Sequence, residues 1–293
     1  MDRITKLLQG AVDLHVHSGP GLIPRSLDHA EAVKQALAVG MRGLVVKDQH
    51  SMTSGSVYFL KEHVFKGAPI SFYGGLVLNN TGGGISPYTV DCAIKYGGKI
   101  IWMPTLSAKN HIDVHSKGHN TSFPDTKEKP LPEIPLTILD QNGALLPQVI
   151  EICKLIARAD IVLATGHLHL SEIKLLIAEA KKQGVKRILM NHPEFIINAS
   201  LEDMVNFANQ GVVIEHSYAL IISGELKKDY LVEMIRRVGA ERTTIGSDLG
   251  QKNNPYPVEG LKACIQDLLE LGIKDEEIDL ILRKNPAKLI GLD

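Results

Sequence analysis

The histidines and carboxylates are the residues whose types and spacing could do chemistry in this chain. His15-Val16-His17 sets two imidazoles two residues apart, and on a β-strand that spacing turns both toward one face. Thr165-Gly166-His167, Asn191-His192-Pro193, Glu215-His216-Ser217 and Gly246-Ser247-Asp248 each end a short apolar run further along. Imidazoles and a carboxylate converging on one point make a donor set suited to a divalent ion, zinc before manganese or iron. A single buried histidine is ordinarily a hydrogen-bonded core residue, and His-x-His alone arises by chance in many chains. Many titratable groups left unpaired in one cavity are costly, however, and a bound cation removes that cost.

Other polar groups could hold a substrate. Lys47, His50 and Thr53 form a Lys-x-x-His-x-x-Thr cluster at a second strand end, where a cation could neutralise an oxyanion or hold a carboxylate. Lys47 could equally pair with Asp48 or Glu215. Arg25, in the loop Gly19-Pro20-Gly21-Leu22-Ile23-Pro24-Arg25, could bind an anionic group with its planar fork. Of His111, His115 and His119, His111 is nearest a strand and the best placed to reach a substrate. Gly82-Gly83-Gly84 lacks phosphate-loop spacing and reads as a turn before a helix starting at Ser86-Pro87. There is no Gly-x-Ser-x-Gly elbow, His-Glu-x-x-His helix or Walker loop.

These residues need elements to position them. Short Val- and Ile-rich runs alternate with segments of helical period, the pattern of βα units. Eight strands are expected near Val12 to His17, Gly43 to Lys47, Ser71 to Leu78, Lys99 to Pro104, Ile161 to His167, Arg187 to His192, Val212 to His216 and Thr243 to Asp248. Ser26, Ser171 and Ser200 are the expected caps of three helices, Ser200 in a capping box with Asp203. The fold class is therefore α/β, a (β/α)8 TIM barrel with a long insertion after strand 4, in one domain spanning 1–293 with the insertion at 106–143. Asn142-Gly143 marks a hairpin turn inside the insertion. An open doubly wound sheet is the runner-up, and eight units rather than five or six favour closure. In a barrel the polar strand ends meet at one mouth.

Composition narrows the function classes. With 293 residues, 44% of them apolar, the chain can bury a large core, which excludes disorder as its main description. Its 32 basic and 33 acidic side chains leave a formal charge of -1, so nothing supplies the positive field that nucleic acid or an anionic membrane surface requires. Cys92, Cys153 and Cys264 form no Cys-x-x-Cys pair, lie in helical segments as packed thiols, and fit a reducing cytoplasm. No signal peptide or membrane span is expected. The expected partner is a small-molecule substrate; a homo-oligomer is not legible in the sequence.

With these elements placed, the chain resembles the amidohydrolase superfamily of metal-dependent hydrolases. The resemblance rests on His15-x-His17, His167, His192, Asp248 in Gly246-Ser247-Asp248, and Asn285-Pro286-Ala287-Lys288-Leu289-Ile290-Gly291-Leu292 in the last helix. It is strongest to a poorly characterised branch and implies a metal-activated water attacking a small amide, lactone or ester. It also implies that His15, His17, His167 and Asp248 hold one divalent metal. His192 would hold a second ion or polarise the water, and Asp248 and His192 would be the catalytic pair, with Asp248 as proton shuttle. Strand four, Ile100-Ile101-Trp102-Met103-Pro104-Thr105, departs from the family's two-metal pattern by lacking a bridging lysine or glutamate. One ion is therefore expected, with Lys47 or Glu215 as the remaining sources of a bridge, and an isomerase or lyase reaction stays open. Two alternatives stand beside the hydrolase. One is a metal-dependent phosphoesterase of the polymerase-and-histidinol-phosphatase type, whose motifs end in Asp-x-His where this chain has Asp248-Leu249-Gly250. The other is a non-catalytic barrel that binds a small anionic ligand.

Overall fold

Short buried strands of Val, Ile and Leu recur along the chain in the computed structural model, which describes residues 2–117 and 126–292. His119 lies outside the described residues. The strands are β1 (Val12–Val16), β2 (Gly43–Val46), β3 (Ser71–Tyr73, continued as Gly75–Val77), β4 (Ile100–Trp102), β5 (Val162–Ala164), β6 (Arg187–Asn191), β7 (Val213–Ser217) and β8 (Thr243–Gly246). All pair in parallel in chain order, the first half of β3 with β2 and its second half with β4. Strand β3 breaks at Gly74, where the Thr53 hydroxyl donates to the Gly75 carbonyl and accepts from the Gly75 amide.

The ring closes between its ends. The His17 amide donates to the Leu249 carbonyl at 2.9 Å and the Asp248 amide to the His15 carbonyl at 2.8 Å, with a parallel bridge between Val16 and Leu249. This is the expected TIM barrel.

Two apolar layers follow from strand alternation. Val12, Leu14, Val45, Ile100, Trp102, Val162, Leu189 and Val213 fill the barrel interior, while Val16, Leu44, Val46, Ile101, Leu163, Met190 and Ile214 pack outward under the helices. The helix Asn285–Ile290 plugs one end by adding Ala287, Leu289 and Ile290 to the inner layer, and the Asn285 amide donates to the Ala240 and Thr243 carbonyls. At the other end the interior becomes polar. Strand β1 slips register between Asp13 and Val16. Leu14 already faces inward and Val16 faces outward, so the bulge aims His15 and His17 into the barrel.

Two caps differ from expectation. The helix His29–Ala38 is capped by Asp28 in a capping box with Glu31, while the Ser26 hydroxyl donates to the Gly250 carbonyl. The helix Leu170–Lys182 is capped by His169, two residues before Ser171, in a box with Glu172. Ser200 caps Leu201–Asn209 as expected. Cys153 and Cys264 are buried, but Cys92 is exposed on the outer face of its helix and is not a packed thiol. Within the insertion the Ala108–Leu136 bridge ties the start of the helix Lys109–Ser116 to the returning chain, and a turn at Asn142-Gly143 joins the bridged residues Leu139 and Leu145. Among the described residues no helix is long and apolar enough to cross a membrane.

Closure makes one glycine indispensable. Gly250 has φ +118, and a Cβ there would sit 1.5 Å from the His17 carbonyl oxygen. Gly250→Ala is expected to cost roughly 2–4 kcal/mol. Gly184→Ala, at φ +86 with nothing nearby, should cost only about 1 kcal/mol. Urea unfolding of both variants checks this; equal losses would contradict the seam's tightness.

Candidate metal centre

The polar strand ends meet at the open mouth of the barrel, around a cavity of about 280 Å³. His17, His167, His192 and Asp248 line it, and His15 is buried behind them. Its Nδ1 is 3.0 Å from Glu215 Oε2, and its Nε2 is 3.2 Å from Asp248 Oδ1 and 3.0 Å from Lys47 Nζ. His17 Nε2 is 2.9 Å from Asp248 Oδ1, while His17 Nδ1 donates to the Lys47 carbonyl at 3.0 Å. His167 Nδ1 is 2.7 Å from His111 Nδ1, with the two rings stacked at 4.9 Å. In all three histidines the Nδ1 side is occupied by a protein group. This is the outer support that fixes tautomer and ring direction at metal sites.

His192 completes the ring of groups. Its imidazole stands 5.7 Å from that of His15 and 4.9 Å from that of His167. Ligand atoms of His15, His192 and Asp248 all lie within 4.8 Å of one another. His17 joins this group through Asp248, and His167 through its edge contact with His192. Two of these residues sit in the left-handed region, His192 at φ +32 and Asp248 at φ +53. Such backbone costs about 1–3 kcal/mol per residue and persists where the surroundings dictate it.

Burial governs the charges. Desolvation lowers His15, His17 and His192 to about 3 each and His167 well below the ordinary imidazole value, so all four are neutral at neutral pH. Burial opposes ionisation of Asp248, but the imidazoles of His15 and His17 more than compensate, and its carboxyl is held well below the usual range. The Ser217 hydroxyl also donates to Asp248 Oδ2 at 2.8 Å. Lys47 is lowered to about 8 and Glu215 raised to about 8, both chiefly by desolvation. Neutral imidazoles beside an ionised carboxylate are the protonation states that a cation needs from its ligands.

The remaining sequence candidates divide. Arg25 and Lys47 line the cavity. Lys47 approaches His15 rather than Asp48, because Asp48 turns outward to accept from the His50 and Ser51 amides and from Arg25. His50 is half-buried beside Asp48 and does not line the cavity, and His111 stands behind His167 rather than in the wall. Sequence reasoning offered Glu215 only as a bridge or as a partner of Lys47, whereas it binds the back of His15. Strand parity carries the signal: Val213 faces inward, so Glu215 does too, and His216 turns outward to Glu194. Phe195, Gln251, Lys252 and Asn254, from loops, and Leu220, from the short helix Ala219–Ile222, were not anticipated in the wall.

Residues 10–215 match a family of unknown function, DUF6282, and the chain belongs to that family. No curated protein matches the sequence. Among solved structures, it is similar to an amidohydrolase from Pseudomonas aeruginosa, at 13% identity over 98% of this chain and 99% of that one, with a TM-score of 0.66. A probable dipeptidase from the same organism matches at 12% identity over 98% and 96%, with a TM-score of 0.65. A mutant organophosphorus hydrolase from Deinococcus radiodurans matches at 15% identity over 98% and 94%, with a TM-score of 0.58. At these identities the likeness establishes a shared fold.

Neutral buried imidazoles make the protein sensitive to acid. As pH falls from about 6.5 toward 3, the unfolded chain takes up protons at His15, His17 and His192 that the folded chain refuses, so stability is lost on acidification. Chelator-treated protein is expected to lose about 2–4 kcal/mol between pH 7 and pH 5.5. Denaturant midpoints at the two pH values measure this, and equal midpoints would contradict it.

Proposed function

We propose that this protein is a metal-dependent hydrolase, with one divalent ion held by His15, His17, His167, His192 and Asp248, acting on a small amide, lactone or ester. One observation carries the reading: two imidazoles and a carboxylate from β1, β6 and the end of β8 place ligand atoms within 4.8 Å of one another at the cavity wall. The residues fit a cation by a second test. His192 Nδ1 and Glu215 Oε1 are buried without a hydrogen-bond partner among the described residues, which is costly in a site that stays empty. The nitrogen and carboxylate donors favour zinc, then manganese or iron.

A single ion is favoured because the end of β4 offers no bridging carboxylate or lysine: the strand presents Trp102 to the interior, and one oxygen of Glu215 is taken by His15 Nδ1. A divalent ion supplies Lewis acidity and brings the pKa of water from about 15.7 toward about 7. The protein's own groups do the rest. Asp248, ionised at neutral pH and steadied by Ser217, accepts the proton from water and delivers it to the leaving nitrogen or oxygen. Lys47 Nζ, at the cavity wall, stabilises negative charge developing on the carbonyl oxygen. Glu215 keeps the His15 ring in place from behind, and His111 does the same for His167.

Purified protein is expected to hold about one equivalent of divalent metal, and chelation should lower its melting temperature. Asp248→Asn should keep the fold yet lose about 100-fold or more in turnover, in screens of lactones, amides and phosphomonoesters. His17→Ala should lose metal and thermal stability together. Metal-free protein whose melting temperature ignores added zinc would overturn the reading; activity on phosphomonoesters alone would shift it to the phosphoesterase alternative.

A further inference from the structure

The cavity wall also carries a cation that the proposed ligand set does not use. The Arg25 side chain is only 4% exposed yet lines the cavity. Its one anionic hydrogen-bond contact among the described residues is Asp48 Oδ2, at 3.5 Å, the outer limit of a hydrogen bond. Asp48 directs its other oxygen to the His50 amide, the Ser51 amide and the Ser51 hydroxyl. Arg25 Nε is buried and has no hydrogen-bond partner among the described residues. A guanidinium presents five N–H donors in a planar fork, and leaving one buried and unmatched is costly unless a ligand meets it.

The fold holds this fork rigidly over the site. Arg25 and Gln251 form an antiparallel bridge, the Ser26 amide donates to the Gly250 carbonyl, and the Lys252 amide donates to the Pro24 carbonyl. The loop after β1 and the loop after β8 are thereby stitched into one rim, two residues beyond Asp248 and its neighbours at the seam. Lys47 and Lys252 add cations to the same wall, and Ile23, Phe195 and Leu220 add apolar surface. Asp248 and Glu225, also in the wall, disfavour a second anionic group.

We infer that the substrate is a small molecule with one anionic group and an apolar body, whose carboxylate or phosphoryl oxygens dock on Arg25. A planar, two-oxygen anion matches the guanidinium fork, and the side chains of Ile23, Phe195 and Leu220 cover the rest of the molecule. This deepens the hydrolase reading and rests on it for the reaction, but the docking itself requires no metal.

The test is calorimetric binding of phenylacetate, its neutral isostere phenylacetamide, and phenyl phosphate to the protein as purified and after chelation. The acid or the phosphate is expected to bind at least tenfold more tightly than the amide in both preparations, and whichever binds better identifies the oxyanion. Arg25→Gln should abolish that preference, the acid and the phosphate then binding no more tightly than the amide. Arg25→Lys, which keeps the charge without the fork, should lose most of the preference. Equal binding of acid and amide by the unsubstituted protein overturns the inference whether or not the variants fold, as does a preference that survives Arg25→Gln. Arg25-dependent anion binding in a protein that takes up no metal would support this inference while removing the hydrolase reading; metal-dependent turnover with no anion preference would do the reverse.

Discussion

The seam between β1 and the end of β8 is the constraint on which the rest of the structure depends. Residues 233 positions apart are joined there by a 2.8 Å hydrogen bond from the Asp248 amide to the His15 carbonyl. That link brings the Asp248 carboxylate against the Nε2 atoms of His15 and His17 at 3.2 and 2.9 Å. Asp13 reinforces the join by accepting from the His15 and Ser247 amides. A barrel left open at this point would keep every helix and strand and lose the site.

Around that seam, three of the imidazoles are gripped from behind, each by a different kind of group. Glu215 holds His15, a backbone carbonyl holds His17, and His111 holds His167. Low dielectric surroundings make these contacts strong and make any unmatched group expensive. The cluster therefore combines matched Nδ1 atoms at His15, His17 and His167 with unmatched His192 Nδ1 and Glu215 Oε1, and left-handed backbone at His192 and Asp248 adds strain at the same place. Stability has been given up where the chemistry would occur, the usual relation between a rigid scaffold and a functional mouth.

Much of this was legible in the sequence because parallel strands buried on both sides read as continuous apolar runs that switch to polar residues at the barrel mouth. That switch marks the strand ends at which His15, His17, His167, His192 and Asp248 stand, and the resemblance picks them out from the other polar residues there. What stayed hidden depends on tertiary detail. The bulge in β1 is invisible in Asp13-Leu14-His15-Val16, since two-residue alternation by itself would place His15 on the opposite face from Leu14. His169 took the cap from Ser171 because Glu172 sits three residues after it and closes the box. His111 and His50 looked like cavity residues by proximity to strand ends, but the helix Lys109–Ser116 approaches His167 from behind, and the turn after Asp48 carries His50 away. Loop residues such as Phe195 and Lys252 have no periodic signature to betray them.

The most direct measurement of the central claim is X-ray absorption at the metal edge on the purified protein, paired with an anomalous difference map from its crystals. The account requires one divalent ion at the seam, with imidazole nitrogen and carboxylate oxygen donors at about 2.0–2.2 Å and density beside His15, His192 and Asp248. An ion bound elsewhere, sulfur in the coordination shell, or a seam that remains without metal in zinc-supplemented crystals would contradict it.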